Sequence, residues 1–234
     1  MADKGRIRLM VVIISVAAII GIVALVIALW PGETAQDQMI AEYRAAKHQQ
    51  YEQENQQYDD YEVEVAFIGD SITDAYDLKK HYPQYVTANR GIAGDTSYDL
   101  QARLQLSVYD LKPQVVVMLI GANNPTTVMN NYEDILKGYQ ENLPETKVVL
   151  LSLTSMGGET WGRWNEKAQA NNVEIKKLAE KYGHTFVDVY TPLLDPAINQ
   201  LREDYTTDGG HLTEEGYEVL TDTIAPVLKG ILGK

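Results

Sequence analysis

Short apolar runs alternate with longer segments of mixed polarity along the chain from Glu62 onward. The runs are rich in valine and isoleucine and largely continuous, as expected for parallel strands that are covered on both faces. They lie at Val63–Ile68, Tyr85–Ala88, Val115–Ile120, Lys147–Leu153 and Thr185–Val189. Helices are predicted at Thr73–Lys80, Ser97–Tyr109, Tyr132–Asn142 and Glu166–Tyr182, with a last one after Thr213. This alternation predicts an α/β fold, a three-layer α/β/α sandwich around a doubly wound parallel sheet.

The N-terminal pattern is different, because Leu9–Trp30 is a continuous apolar segment without a charge. As a helix it would be about 33 Å long, which matches a hydrocarbon core of roughly 30 Å. Trp30 suits the headgroup region, and Pro31 ends the segment. We therefore predict a transmembrane helix over residues 9–30. A cleaved signal peptide is the alternative, but its apolar core would span only about 7 to 15 residues and end in a small-x-small site.

The charges on the two sides of this segment predict its orientation. Basic residues precede it and acidic residues follow it: Lys4, Arg6 and Arg8 on one side, Glu33 and Asp37 on the other. The positive-inside rule then places residues 1–8 in the cytoplasm and the remainder outside. We expect a single-pass protein of the cell membrane with an extracytoplasmic domain.

Residues 31–61 are predicted to form a polar stalk, rich in Gln, Glu, Asp and Tyr, between the membrane and a domain at residues 62–234. Tyr43, Tyr51 and Tyr58 recur at steps of eight and seven residues, which is typical of a helix with a thin aromatic stripe. We interpret the stalk as a spacer. A coiled coil for a partner is the alternative, and the periodicity leaves open whether the stalk packs on the domain.

The amino-acid composition excludes several classes of function. The formal net charge of −13 argues against a nucleic-acid partner, since phosphate binding needs a basic surface. The absence of cysteine excludes disulfides, thiolate catalysis and cysteine-based zinc sites. No two of the four histidines (His48, His81, His184 and His211) lie close together in sequence. We therefore expect neither a metal nor a cofactor.

Polar clusters follow the predicted strands and precede the last helix. Ligands of open α/β sheets bind beyond the carboxyl ends of the strands, so these clusters form the candidate site. They are Gly69-Asp70-Ser71-Ile72, Asn89-Arg90-Gly91-Ile92-Ala93-Gly94, Gly121-Ala122-Asn123-Asn124 and Asp208-Gly209-Gly210-His211.

The residue types in these clusters suit acyl transfer. A hydroxyl such as that of Ser71 needs a neighbouring base, and the imidazole of His211 titrates near neutrality. A carboxylate, here Asp208, would fix the tautomer of that imidazole. Backbone N–H groups of Ser71 and Gly91, together with the carboxamide of Asn123, would supply an oxyanion hole.

The four clusters also resemble the four blocks of the SGNH (GDSL-like) hydrolases, whose name lists Ser, Gly, Asn and His in chain order. The resemblance covers the chain from about Glu62 and implies a flavodoxin-like sandwich, a serine esterase and no cofactor. Residue by residue it implies a nucleophile at Ser71, oxyanion donors at Ser71, Gly91 and Asn123, and a triad completed by Asp208 and His211. It implies structural support from Asp70. The third block usually ends in Asp, and Asn124 in its place puts the bonding of the neighbouring loops in doubt.

Trp161, Arg163 and Trp164 follow the fourth predicted strand in a Gly-rich stretch. They would suit stacking on a sugar or lining an acyl pocket, and covering the edge of the domain is an equal alternative. We expect hydrolysis of a carboxylic ester, with deacetylation of a cell-surface or environmental carbohydrate favoured. A lysophospholipase-like esterase, an acyltransferase to a sugar hydroxyl and a non-catalytic binding module are the alternatives.

Overall fold

A computed structural model describes residues 34–234 of the chain. Residues 46–234 form one compact unit. The predicted cytoplasmic N-terminus (1–8) and transmembrane helix (9–30) lie outside the described residues. Between residues 34 and 234, no helix combines the length and the apolar character that crossing a membrane requires.

The body is built on a five-stranded sheet in which all neighbours run parallel, in the order β2-β1-β3-β4-β5. The strands are β1 (Val65–Gly69), β2 (Thr87–Gly91), β3 (Val115–Leu119), β4 (Lys147–Leu151) and β5 (Thr185–Val187). Each overlaps a predicted apolar run, and β1 and β3 are buried along their whole length. The predicted doubly wound parallel sheet is thereby confirmed. A small antiparallel pair, β6 (Leu194–Asp195) and β7 (Gln200–Leu201), was not predicted.

Helices flank the sheet. They are α1 (Ala35–Asn55), α2 (Ser71–Asp74), α3 (Leu78–His81), α4 (Ser97–Ala102), α5 (Tyr132–Asn142), α6 (Gly158–Trp161), α7 (Asn165–Tyr182), α8 (Tyr190–Leu193) and α9 (Glu214–Leu232). Short 3-10 helices lie at Val128–Asn130, Gly162–Trp164 and Glu203–Tyr205, and a π-helix lies at Gln105–Tyr109.

Two of the predicted helices are interrupted. The helix predicted at Thr73–Lys80 is split into α2 and α3, because the Asp77 side chain accepts the backbone N–H of Lys80 and starts a new helix. The helix predicted at Ser97–Tyr109 stops at Ala102 and resumes as the π-helix.

The strand order reverses next to β1. From β1 the chain passes outward to β2 on one side and then returns to β3 on the other side. Ligand sites of doubly wound sheets lie beyond the carboxyl ends of the strands at such a switch point. Gly69 and Leu119, which end β1 and β3, therefore mark the place to look for a site.

The second half of α1 belongs to the body. Residues 46–61, predicted as part of the stalk, fall in the compact unit that begins at Ala46. Tyr51 is fully buried, and its hydroxyl donates to the carbonyl oxygen of Gly91 at 2.6 Å. The tyrosine periodicity predicted the helix, but it carried no information about the surface on which Tyr51 packs.

Candidate active site

Ser71 occupies the first position of α2, immediately after β1. Asp70 caps this helix, since its carboxyl oxygen accepts the backbone N–H of Ile72 at 3.1 Å. Gly69 allows the tight strand-to-helix turn, because an added Cβ would lie 2.2 Å from the carbonyl oxygen of Leu119. The turn presents the Ser71 hydroxyl beyond the carboxyl end of the sheet. Within residues 34–234, the backbone N–H of Ser71 has no hydrogen-bond partner.

A hydrogen-bonded line joins three of the predicted residues. His211 Nε2 lies 3.0 Å from Ser71 Oγ, although the two residues are 140 positions apart in sequence. On the other side of the ring, His211 Nδ1 lies 2.8 Å from Asp208 Oδ2. The tertiary fold therefore brings together the hydroxyl, the imidazole and the carboxylate in the order that nucleophile activation requires.

Asp208 is held as a carboxylate. Partial burial raises its pKa, but hydrogen bonds from the backbone N–H groups of His211 and Gly210 and from the His211 ring outweigh that effect. Its pKa consequently lies well below the usual range for an aspartate. The two backbone bonds measure 2.8 and 2.9 Å and fix the other oxygen of the carboxylate. Asp208 can therefore orient the imidazole and stabilise its cation at neutral pH.

Asn123 and Gly94 lie together at the next loop. The Asn123 Nδ2 atom donates to the carbonyl oxygen of Asp95, the residue after Gly94, at 3.0 Å. Gly94 has a φ of +82°, and no atom lies within 4 Å of the position of an added Cβ. Among the residues that the structure describes, none accepts the backbone N–H of Gly94. This loop thus offers an unused N–H next to the Asn123 carboxamide.

The structure does not support the prediction that the backbone N–H of Gly91 is an oxyanion donor. Its backbone N–H donates to Asn89 Oδ1 at 2.8 Å, so that group is already used. An added Cβ would lie 2.1 Å from the backbone nitrogen of Asp74, which shows that Gly91 packs beneath α2. Three residues further along, the N–H of Gly94 has no acceptor among the described residues. Gly94 lies two residues before Thr96, the N-cap of α4, and a turn from a strand into a helix often needs a left-handed glycine. This position is the sequence feature that could have identified Gly94.

A small apolar pocket opens beside Ser71 and His211. Its volume is about 250 Å³ including the mouth, and its other walls are Ile72, Ala122, Thr154, Met156, Trp161 and Gly210. Of the three residues predicted to bind substrate, Trp161 lines this pocket, whereas Arg163 and Trp164 do not. The Arg163 guanidinium instead lies 5.2 Å from the centre of the Trp164 ring, and both residues belong to the 3-10 helix that follows α6.

Trp161 also contacts the catalytic candidates. Its ring stands edge-on to the His211 ring at a centroid distance of 5.7 Å, and its Nε1 atom lies 3.4 Å from Asp208 Oδ2. Gly210 is required at this place, since an added Cβ would lie 2.6 Å from the indole.

Asn124, which departs from the family pattern, is fully used in the loop network. Its Oδ1 accepts the backbone N–H of Ser97 at 3.2 Å, and its Nδ2 lies 2.9 Å from Ser97 Oγ. Nδ2 also donates to Thr127 Oγ1 at 3.2 Å. A carboxylate could accept these bonds but not donate them, so the amide suits this network.

The buried carboxyl group of Asp70 should make the free energy of unfolding depend on pH. Asp70 is 1% exposed, and its burial raises the pKa from 3.8 to about 7, with the N–H of Ile72 opposing the shift only in part. Between these two values the folded state holds more protons than the unfolded state, so the free energy of unfolding falls as pH rises. The fall is on the order of 4 kcal/mol over the window. Asp70→Asn keeps the capping oxygen and should flatten this dependence.

We expect Asp70→Asn to match the wild type near pH 4 and to be more stable by a few kcal/mol at pH 8, measured by urea unfolding. Asp77→Asn, which changes the exposed cap of α3, is the matched control and should follow the wild-type pH profile. Parallel pH profiles for the wild type and Asp70→Asn would contradict the assignment of the raised pKa to Asp70.

The parallel sheet with flanking helices and a Ser–His–Asp line at its switch point defines the class of α/β proteins with an SGNH-like fold. Within that class, the chain belongs to the GDSL-like lipase/acylhydrolase family, whose model matches residues 67–219. The resemblance drawn from the four polar clusters is thereby confirmed. No curated protein matches the sequence.

Solved structures with the same fold are numerous. A Streptococcus pneumonia protein, described provisionally as a platelet activating factor, is 29% identical with a TM-score of 0.75, and the match covers 82% of this chain and 96% of that one. A GDSL-like lipase from Bacteroides thetaiotaomicron is 26% identical with a TM-score of 0.69, covering 78% and 97%. An acetyl xylan esterase from Geobacillus stearothermophilus is 22% identical with a TM-score of 0.60, covering 72% and 95%. At that last identity the likeness shows the fold alone.

Proposed function

We propose that the protein is a serine esterase that hydrolyses esters of short carboxylic acids. The observation that carries the proposal is the line from Ser71 Oγ through His211 to Asp208, with distances of 3.0 and 2.8 Å. A serine hydroxyl becomes an effective nucleophile when a base within hydrogen-bond reach takes its proton.

The geometry supports two chemical steps. In the first, Ser71 Oγ attacks the ester carbonyl carbon while His211 Nε2 takes the hydroxyl proton and passes it to the leaving alcohol. In the second, His211 takes a proton from water, the hydroxide attacks the acyl-serine carbonyl, and the proton returns to Ser71 as the acid leaves. Asp208 stabilises the imidazolium in both steps.

Three donors would stabilise the oxyanion. They are the backbone N–H groups of Ser71 and Gly94 and the carboxamide of Asn123. The carboxamide has two N–H bonds, and among residues 34–234 only the carbonyl oxygen of Asp95 accepts from it. Donors that are already oriented need no reorganisation when the negative charge develops.

The pocket supports a short acyl group. The free space among its lining atoms is only about 250 Å³, even with the open mouth counted. Met156 and Thr154, which form part of its wall, are almost fully buried in the domain. A long acyl chain would extend out of this pocket, which disfavours a lysophospholipase-like substrate.

Solvent access favours hydrolysis over transfer. The side chains of His211 and Asp208 are 45% and 46% exposed, so water can approach the imidazole directly. An acyltransferase must keep water from its acyl-enzyme, and this site is open. An acetylated carbohydrate remains our favoured substrate, since the partly exposed ring of Trp161 lines the pocket beside Ser71 and offers an aromatic surface for a sugar.

A chain-length profile tests the proposed acyl preference. The full-length protein, purified in a mild detergent, is assayed on p-nitrophenyl acetate, butyrate and octanoate and on acetylated xylo-oligosaccharides. We expect kcat/KM to fall about tenfold or more from acetate to octanoate, because the extra methylenes have no room. Met156→Ala enlarges the pocket and should move the preference toward butyrate. A wild-type preference for octanoate would contradict the short-acyl assignment.

A further inference from the structure

The second half of α1 contacts the β2 end of the active-site framework. Tyr51 is fully buried there, and its hydroxyl donates to the carbonyl oxygen of Gly91 at 2.6 Å. The guanidinium of Arg90 lies over the Tyr51 ring, 4.6 Å from its centre. Two consecutive residues at the end of β2 are therefore held by one tyrosine of the preceding helix.

Arg90 is a fully buried cation, and α1 supplies its counter-charge. Its Nη1 atom is paired with the carboxylate of Glu54, and its Nη2 atom donates to Asn55 Oδ1 at 3.0 Å. Among the described residues, Glu54 is the carboxylate that forms a salt bridge with Arg90. A buried charge without its partner is strongly unfavourable, so the position of Arg90 depends on the docking of α1.

A second buried arginine connects the same strand end with the oxyanion loop. Arg103 Nη1 donates to the carbonyl oxygen of Arg90 at 3.0 Å, and its Nε donates to Asp95 Oδ2 at 2.7 Å. The carbonyl oxygen of Asp95 in turn accepts the Asn123 carboxamide. The loop from Gly91 to Asp95, which contains Gly94, is thus fixed at its start by α1 and Arg103 and at its end by Arg103 and Asn123.

We propose that Tyr51 and Glu54 are positioning residues that hold the oxyanion donors Gly94 and Asn123 in place through the loop 91–95. Both precede residue 67, where the match to the family begins, and the family's sequence blocks therefore do not include them. The inference rests on the proposed esterase activity. Displacement of a catalytic group by about 1 Å costs on the order of 10²-fold in rate, so a small shift of this loop is measurable.

The test uses Tyr51→Phe and Glu54→Gln in the full-length protein. Tyr51→Phe removes one hydroxyl and keeps the ring, and Glu54→Gln removes one charge and keeps the shape. We expect each variant to lower kcat on p-nitrophenyl acetate about tenfold with KM changed less than twofold. The inhibition constant of phenylboronic acid, whose tetrahedral Ser71 adduct needs the oxyanion donors, should rise by the same factor as kcat falls.

Glu52→Gln is the matched control, because Glu52 lies on the same helix and is exposed. It should leave kcat and the phenylboronic acid constant unchanged. Hydrogen–deuterium exchange of the peptide covering residues 89–96 gives a readout independent of catalysis, and we expect faster exchange in Tyr51→Phe and Glu54→Gln alone. A merely structural role of α1 would lower the melting temperature without a parallel rise in the phenylboronic acid constant.

The outcomes separate the two proposals. An active wild type with unchanged kcat, inhibition and exchange in both variants overturns the positioning role and leaves the esterase standing. A wild type without ester hydrolysis overturns the esterase, and the exchange data then decide by themselves whether α1 orders the loop. If Glu54→Gln does not fold, Tyr51→Phe decides, since it retains every buried charge pair.

Discussion

Ser71→Ala is expected to lower kcat on p-nitrophenyl acetate by about 10⁴- to 10⁶-fold, with KM changed by less than about threefold. The substitution removes the atom that forms the acyl intermediate and leaves the oxyanion donors and the pocket in place. The residual rate would come from water attacking a bound ester whose oxyanion is still stabilised. The expected loss therefore appears in kcat, because Ser71 Oγ bonds covalently to the substrate only during the reaction.

The fold should tolerate this change. The Ser71 side chain is partly exposed, and its hydrogen bond to His211 is the contact that the substitution removes. We expect a melting temperature within about 4 °C of the wild type. Thr223→Ala, which removes a hydroxyl that bonds within α9, serves as the control and should retain full activity. Equal rates for Ser71→Ala and the wild type would contradict both the assignment of Ser71 as the nucleophile and the acyl-serine mechanism.

Asn123→Ala carries the second largest expected effect, a loss of about 10² to 10³ in kcat with little change in KM. Loss of one preorganised oxyanion donor costs this much in enzymes that form tetrahedral intermediates. The carboxamide stabilises a charge that exists only in the transition state, so ground-state binding of the ester should be nearly unaffected.

Two controls separate a lost donor from a disturbed loop. Asn142→Ala removes an exposed carboxamide at the end of α5 and should leave kcat unchanged. Asn123→Ala should also weaken phenylboronic acid by the factor by which kcat falls, while the exchange of residues 89–96 changes only modestly. If kcat stays within threefold of the wild type, the oxyanion is held by the backbone N–H groups of Ser71 and Gly94 without help from Asn123.

The oxyanion hole and the triad differ in how they are supported. Asp208 and His211 lie in one Gly-rich turn, and Trp161 packs against both of them. The proposed donors come from three separate strand ends, and buried arginines tie two of these ends together. Arg103 also donates to the carbonyl oxygen of Gly69 at 3.0 Å, next to the nucleophile turn. A single buried side chain thus contacts the β1 and β2 ends whose loops carry Ser71 and Gly94.

The sheet and most of the polar site could be predicted from local patterns. A Val-rich strand such as β3 is recognisable because a continuous apolar run of that length suits a position covered on both sides. The helix at Tyr132–Asn142 was predicted to the residue, since its apolar positions repeat with the helical period. Ser71, Asp208 and His211 could be selected because few residue types can perform nucleophilic, acid–base and orienting roles.

The remainder depends on contacts between residues far apart in sequence. In the sequence, Gly91 and Gly94 are equivalent candidates for an oxyanion donor, because both are glycines of the same loop. The side chain of Asn89 and the packing of α2 decide that the first has its N–H bonded and the second does not. Nothing local distinguishes Tyr51 from the other tyrosines of its stripe, because its burial depends on Arg90.

The sequence by itself determined the five parallel strands, the main helices between them and most of the chemical groups of the site. Periodicity and side-chain chemistry act over short distances along the chain, so local patterns are enough to recognise them. Only the tertiary structure decided which N–H groups remain unbonded, where the domain begins and what neutralises Arg90. These features arise from hydrogen bonds and charge pairs between segments that become neighbours only when the sheet is assembled.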